Sequence, residues 1–388
     1  MPLIDFVEIH EIAWDAPGLS MDSSGFNIVC KPGASIALRK FVIAIGSEDG
    51  SRGEYAALWG GSPNSLAQVL TLAPHLLGRD ALERELIGDD FKRFMRHFDR
   101  MGIGPIDIAL WDLAGKRSNQ SVSEMLGGYR KRLPAYASTY HGDRNGALST
   151  PEDYVNFAEH CHSLGFTAFK MHGWTEGNVA EEVETVRQLG KQLGGRMHLM
   201  LDPASELRTF ADALAVGRAC DEAGFYWLED PMRDGGSSAH LHRKLRQMIR
   251  TPLLQGEHVR GLELKADLVK ADGTDFLRSD PEYDMGITGA MKIAHLGEAF
   301  GLDVEIHASG PAHRHCMSAM RNSNYYELAL VGPNCRNALP PIYACGYSDE
   351  MDAVGPDGCV DVPTGPGLGV IYDWDWIHSH QSAVHTFR

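Results

Sequence analysis

Cysteine is sparse in this chain: seven residues, scattered, with no C-x-x-C pair. That excludes a zinc-ribbon or thioredoxin-type motif and suits thiols kept reduced in the cytosol. No apolar run approaches the ~18 residues of a membrane span, and MPLIDFVEIHEIAWD has no apolar core of a secretory leader. Positive charge is the minority sign. There are 36 Lys and Arg against 52 Asp and Glu, a net charge of −16, and no basic stripe. Neither nucleic acid nor a membrane is therefore an expected partner. Glycine is plentiful, yet no phosphate loop is present. Gly365-Pro366-Gly367-Leu368-Gly369 follows no strand–helix signal, and its proline removes an amide donor. What remains is the expectation of a soluble, cytoplasmic protein.

At 388 residues the chain exceeds the ~250–300 at which single hydrophobic cores stop growing, so two domains are expected. Residues 1–130 read as α+β. IDFVEIHEIAW and SIALRKFVIAIGSEDG have strand character on either side of a Gly/Ser/Pro-bearing loop from Pro17 to Gly33. ELIGDDFKRFMRHFDR and GPIDIALWDLAGKRSNQSVSEMLGG then carry apolar residues at helical spacing. From Pro134 the pattern becomes strand, helix, strand, helix. AYAST, TAFKMH, MHLMLD, FYWLED, PLLQGE, DFLRSD, DVEIHA and YYELAL are the eight strands. Asn178 is placed to cap a helix with Val179, Val183, Val186 and Leu189 inward. GITGAMKIAHLGEAFG is a second helix, with Ile293, Leu296 and Phe300 on one side. Eight alternating strands point to an α/β, TIM-like barrel. An open dinucleotide-binding sheet would need a Gly-rich turn where STYHGD has one glycine. The expected divisions are 1–130, a barrel over 131–345, and a Gly/Pro-rich tail over 346–388 that packs back on the N-terminal domain.

Charged residues end successive strands of that barrel. They are Asp202, Glu229, Glu257, Asp280 and His307, at intervals of 27, 28, 23 and 27 residues, close to the ~30 of one strand-plus-helix unit. The carboxyl ends of barrel strands are where such folds build active sites. One carboxylate alone reads equally as a surface group or a helix N-cap. Three in register on consecutive strands repel one another unless a hard cation joins them, and an all-oxygen set suits Mg²⁺.

On the second strand, Lys170 and His172 alternate onto one face. A lysine inside a barrel needs an anion; a carboxylate substrate is the natural partner, a neighbouring acid the alternative. Asp280 beside His307 fixes the imidazole tautomer and raises its basicity, which makes His307 the main acid/base. Glu327 closes the eighth strand and could hydrogen-bond a substrate carboxylate only if protonated. His258, next to the third ligand, is a candidate to touch substrate. Trp59 is another, with plain hydrophobic anchoring as its alternative. The H-x-H pairs at His160/His162, His240/His242, His313/His315 and His378/His380 fall in helical or tail stretches, where i and i+2 share no face.

These residues resemble the enolase superfamily and, within it, the mandelate racemase subgroup, over nearly the whole chain. IDIALWDLAGK (Ile106–Lys116) with EMLGG (Glu124–Gly128), WLEDP (Trp227–Pro231), GITGAMKIA after the sixth strand and the PTGPGLGV tail are similar to that family's motifs. The resemblance implies a modified (β/α)7β barrel under an N-terminal α+β capping domain, and a homo-oligomer. It implies one Mg²⁺ on Asp202, Glu229 and Glu257, a His307–Asp280 dyad, and the strand-eight glutamate at Glu327. The family's strand-two Lys-x-Lys motif falls on Lys170-Met171-His172.

There are two departures. His172 replaces the second lysine, and Ala204 stands where members similar to mandelate racemase carry Asn. Both count against a two-base racemase and leave a one-base dehydratase intact. Asp280 counts against the muconate-cycloisomerase-like branch, whose members have lysine there. With a polar Leu19–Gly25 loop over the mouth, the resemblance implies a Mg²⁺-dependent dehydratase of an aldonic or similar polyhydroxy acid. A racemase, epimerase or cycloisomerase using the same site is the runner-up.

Overall fold

The computed structural model describes residues 1–388. Its N-terminal part is built on β1 (Ile4–Met21), β2 (Ile28–Ser47) and β3 (Arg52–Ala57), an antiparallel meander. Helices α1 (Pro63–Leu72), α2 (Arg84–Phe94), α3 (Ile103–Ser118) and the short α4 (Val122–Met125) follow. The first two strands run well into the stretch expected as loop and leave a turn of only residues 22–27. Their ladder tolerates both prolines because it breaks where they sit. Pro17 pairs with Ser35 and Leu19 with Cys30, so Lys31–Ala34 bulge opposite Gly18. Gly18 and Gly33 take φ of +78° and +81° there, a turn that a Cβ would resist. β3 is not among the expected elements. Six residues long and directly before the helical stretch, it is decided by pairing with β2 rather than by an alternation of its own.

Eight parallel strands then alternate with seven helices: β4 (Arg132–Thr139), α5 (Pro151–Ser163), β5 (Ala168–His172), α6 (Val179–Leu193), β6 (His198–Asp202) and α7 (Phe210–Ala223), continuing through β7 (Trp227–Glu229), α8 (Ala239–Arg246), β8 (Leu253–Gln255), α9 (Leu262–Lys270) and β9 (Phe276–Ser279), and ending with α10 (Gly286–Ala299), β10 (Val304–Ile306), α11 (Pro311–Ala319) and β11 (Tyr326–Val331). All eight expected strands are present, in (β/α)7β order. The hydrogen-bonded order β10-β9-β8-β7-β6-β5-β4-β11 curls round to a seam between β10 and β11. Side chains bridge that seam: Glu305 accepts from the backbone N–H of Asn324 (3.1 Å) and Tyr325 (3.2 Å).

Asn178 caps α6 as its position predicts, accepting from the N–H of Ala180 and Glu181. Phe300 departs from expectation. α10 ends just before it, and the ring is 53% exposed at the C-cap. After the barrel, β12 (Cys359–Asp361) pairs with β4. Helix α12 (Trp374–Ser379) and β13 (Gln381–Phe387) follow, and β13 joins β1 at the edge of the N-terminal sheet. No helix is long and apolar enough to cross a membrane.

Inside the barrel lies an apolar layer of Tyr136, Ala168, Met200, Trp227 and Leu254, all fully buried. Two residues further along β5, β6 and β7, the same alternation turns Lys170, Asp202 and Glu229 inward. A charged layer thus rests on a dry floor.

Candidate active site

Asp202 and Glu229 are the last residues of β6 and β7, and both are buried. Glu257 reaches the same mouth by another route. β8 ends at Gln255, and strict alternation would turn Glu257 away from the side that Leu254 faces. Gly256, with φ of +123°, breaks the alternation and swings Glu257 inward. The ligand oxygens of Asp202, Glu229 and Glu257 lie within 4.8 Å of one another, an all-oxygen donor set that fits a hard divalent cation. Burial pushes Asp202 up, yet Lys170 and His172 hold it below the usual carboxylate range. For Glu229 burial prevails over Arg278 and Lys170, and the group is raised.

Lys170, expected to meet either a substrate carboxylate or a neighbouring acid, stands among three carboxylates. Its ammonium is fully buried and lies 2.9 Å from Glu229 Oε2, 2.9 Å from Glu327 Oε1 and 3.4 Å from Asp202 Oδ2. These acids lie in the same layer and are the nearest source of negative charge.

Glu327 is another of the acids at the Lys170 ammonium. Besides Lys170 it accepts from Arg278 Nη2 (2.8 Å) and from the N–H of Ala308 (2.8 Å). Lys170 and Arg278 overcome its burial and hold it well below the ordinary carboxylate range.

Arg278 is the residue sequence reasoning missed. Fully buried on β9, it sits 2.8 Å from Glu229 Oε1, with its Nε–H off the line of contact. It also donates to Glu327 and to the hydroxyl of Tyr136 (2.9 Å). The signal was available in DFLRSD: Arg278 stands two residues before Asp280 and so shares its inward face.

His307 Nδ1 lies 2.6 Å from Asp280 Oδ2, and its Nε2 is 3.4 Å from Glu257 Oε1. Burial alone would depress the imidazole, but Glu257 and the hydrogen bond to Asp280 hold it up at about 9. Asp280 is fixed from three sides. It also accepts from the Glu282 N–H (2.6 Å) and faces His313 Nε2 at 3.5 Å. Burial notwithstanding, these contacts hold its carboxyl well below the usual range. Tyr283 stacks on the His307 ring, centroids 5.5 Å apart.

Across the mouth, His172 Nδ1 is 2.5 Å from the Thr139 carbonyl, which can only accept. Nδ1 therefore carries hydrogen, and Nε2, 3.4 Å from Asp202 Oδ2, faces the ligands. The ring of His141, buried and not singled out from the sequence, packs 4.7 Å from that of His172. Burial and then His172 push His141 down to about 3, so it is neutral.

Trp59 is tied to the loop after β10. Its Nε1–H donates to the Ser309 carbonyl (2.7 Å), two residues past His307. The N–H of Gly60 donates to Glu282, which fixes this loop to the barrel. His258 lines a cavity of about 620 Å³ with Tyr283 and Arg260. The H-x-H pairs His160/His162, His240/His242 and His313/His315 lie on α5, α8 and α11.

Two family models match the chain: "Mandelate racemase / muconate lactonizing enzyme, N-terminal domain" over residues 35–127, and "Enolase C-terminal domain-like" over residues 153–376. Among curated proteins, the L-rhamnonate dehydratase of Saccharopolyspora erythraea is 28% identical over 348 residues, 86% of this chain and 83% of that one. The 3,6-anhydro-alpha-L-galactonate cycloisomerase of Streptomyces coelicolor is 27% identical, covering 88% and 91%. Among solved structures, D-glucarate dehydratase from Agrobacterium tumefaciens, complexed with magnesium, superimposes with a TM-score of 0.85 at 27% identity, covering 98% and 99%. The chain belongs to the mandelate racemase group of the enolase superfamily.

Proposed function

We propose that this enzyme is a Mg²⁺-dependent acid-sugar dehydratase. The observation that carries the reading is the contact between the two halves of the site: the His307–Asp280 dyad faces Glu257 at 3.4 Å. A base thus stands beside three converging carboxylates. A magnesium ion on Asp202, Glu229 and Glu257 would supply the positive charge that stabilises a substrate carboxylate as its α-proton leaves.

His307 Nε2, deprotonated, takes that α-proton, while Asp280 keeps Nδ1–H in place and stabilises the imidazolium. The electron pair left at the α-carbon makes the enediolate of the substrate. Its collapse breaks the bond to the 3-hydroxyl, which leaves as water with a proton from His307 or His172. The enol product ketonises to a 2-keto-3-deoxy sugar acid. Lys170, relieved of Asp202 and Glu229 once a cation balances them, is available to the substrate carboxylate. Relatives named as rhamnonate, galactarate, arabinonate and glucarate dehydratases support this reading.

A second reading has its own observation. His172 keeps Nδ1 on the Thr139 carbonyl and turns Nε2 toward the carboxylates, and cycloisomerases are among the relatives. Two bases on two faces would suit an epimerase or cycloisomerase. A library of aldonic and aldaric acids, incubated with Mg²⁺ and read by semicarbazone absorbance, separates the two. A 2-keto-acid signal abolished by EDTA supports the dehydratase. α-Proton exchange without keto acid supports the isomerase.

A further inference from the structure

Glu257 faces two ways. On one side are Asp202 and Glu229. On the other are Asp230 and His258, whose ligand atoms, together with that of Glu257, also lie within 4.8 Å of one another. Asp230 follows the end of β7, and its Oδ1 faces Gly236 in the loop after that strand. Its backbone φ of +31° is unusual for a residue with a Cβ.

The Asp230 carboxyl is only 1% exposed, and neither of its oxygens has a hydrogen-bond donor. The nearest basic atom is His258 Nε2, 4.0 Å from Oδ2. A buried carboxylate without a partner is costly and must take up either a proton or a cation.

A second unpartnered side chain lies beside the Asp230 carboxyl. Gln255 is fully buried, and neither its amide oxygen nor its nitrogen has a partner. A Cβ built on Gly236 would sit 3.0 Å from Asp230 Oδ1 and 3.1 Å from Gln255 Oε1. Two unpartnered oxygens therefore face one small space that the glycine leaves clear. Neither group has a role in the proposed dehydration.

We propose that Asp230, Glu257 and His258 form a second cation site that shares Glu257 with the first. An imidazole among its donors suits a borderline ion such as Mn²⁺ or Zn²⁺ better than Mg²⁺, whereas the all-oxygen cage of Asp202, Glu229 and Glu257 suits the hard ion. Access fits this order: the His258 side chain is 37% exposed and that of Glu257 17%, against 4% for Asp202 and none for Glu229. An ion arriving from solvent meets the outer site first.

The inference rests on the reading that the first cage holds one cation, and the test keeps the two apart. Metal-free full-length protein is titrated with Mn²⁺, and bound ions are counted by the loss of the free-ion paramagnetic resonance signal. Two Mn²⁺ per chain are expected, with an exchange-coupled signal because Glu257 bridges them. Asp230→Asn and, independently, His258→Ala should each bind one and lose the coupling. Asp202→Asn should also bind one, now at the outer site.

A count of one in the parent, unchanged in Asp230→Asn and His258→Ala but lost in Asp202→Asn, overturns the second site and leaves the first standing. No binding in the parent overturns both. His258 is half-exposed at a loop, so its variant reads the site even if Asp230→Asn folds poorly.

Discussion

His307 touches both functions of the site at once: Nδ1 meets Asp280 Oδ2 at 2.6 Å while Nε2 faces Glu257 Oε1 at 3.4 Å. One ring therefore couples the proton-transfer dyad to the ligand set. Any charge placed among the carboxylates is felt at Nε2, the nitrogen proposed to move the proton.

His307→Asn should remove turnover by roughly 10²–10⁴-fold or more, the range for a lost general base. Mg²⁺ should still bind, and more tightly, because the ring is no ligand and its imidazolium no longer opposes the cation at Glu257. Asp280→Asn should cost nearly as much, since an amide in place of the carboxylate no longer fixes Nδ1–H. Steady-state rates alongside calorimetric Mg²⁺ titration check both. Activity retained in His307→Asn would rule out the mechanism.

The same contact sets a pH dependence. Without metal, His307 is held at about 9, above its ordinary ~6.5. Its stabilising contribution is then fully present below pH ~6.5 and lost as pH rises through about 9, amounting to at most roughly 3 kcal/mol. A cation on Glu257 opposes the imidazolium and should lower that pKa. Imidazole NMR titrations with and without Mg²⁺ should show a downward shift on binding. Identical curves would mean that His307 does not sense the ligand cage.

Arg278 shares with Lys170 the counter-charge of the buried carboxylate layer. Arg278→Met should destabilise the metal-free protein by roughly 3–5 kcal/mol, because Glu229 and Glu327 are left buried with one cation between them. Saturating Mg²⁺ should restore part of the loss by neutralising Glu229. Urea denaturation in both conditions reads this; equal stability of variant and parent without metal would contradict it.

Gly256→Ala should weaken Mg²⁺ binding while leaving the dyad's residues untouched. The backbone there is at φ +123°, and an added Cβ would press on the Arg278 carbonyl at 3.2 Å. Forcing an L-residue into that region costs roughly 1–3 kcal/mol. The cheaper response is to rotate Glu257 out of the cage, which isothermal titration would register as lost affinity.

Much of this was legible in the chain. Each barrel strand is a short apolar run with a charged end, so all eight strands and the charged residues at their ends could be placed by spacing alone. What alternation could not supply was the phase of Glu257, since it depends on the φ of one glycine. Nor could local pattern show what Lys170 touches: its partners Glu229 and Glu327 come from strands 59 and 157 residues away in sequence (170 to 229, 170 to 327). Only the far end of the β1–β2 ribbon, from Pro17 to Gly33, was read as loop, because Pro17, Gly18, Pro32 and Gly33 punctuate it. A cross-strand bulge absorbs all four. Arg278 was overlooked because a cation inside an apolar strand has no local explanation; its counter-charges lie on β7 and β11.

The most direct test is proton NMR of the acid-sugar library incubated with the Mg²⁺-loaded enzyme in D2O. The expected result is a 2-keto-3-deoxy acid carrying one deuterium at C3, formed only with metal and absent from His307→Asn. Deuterium entering the α-carbon of an unchanged acid, with no keto acid formed, would contradict the dehydratase.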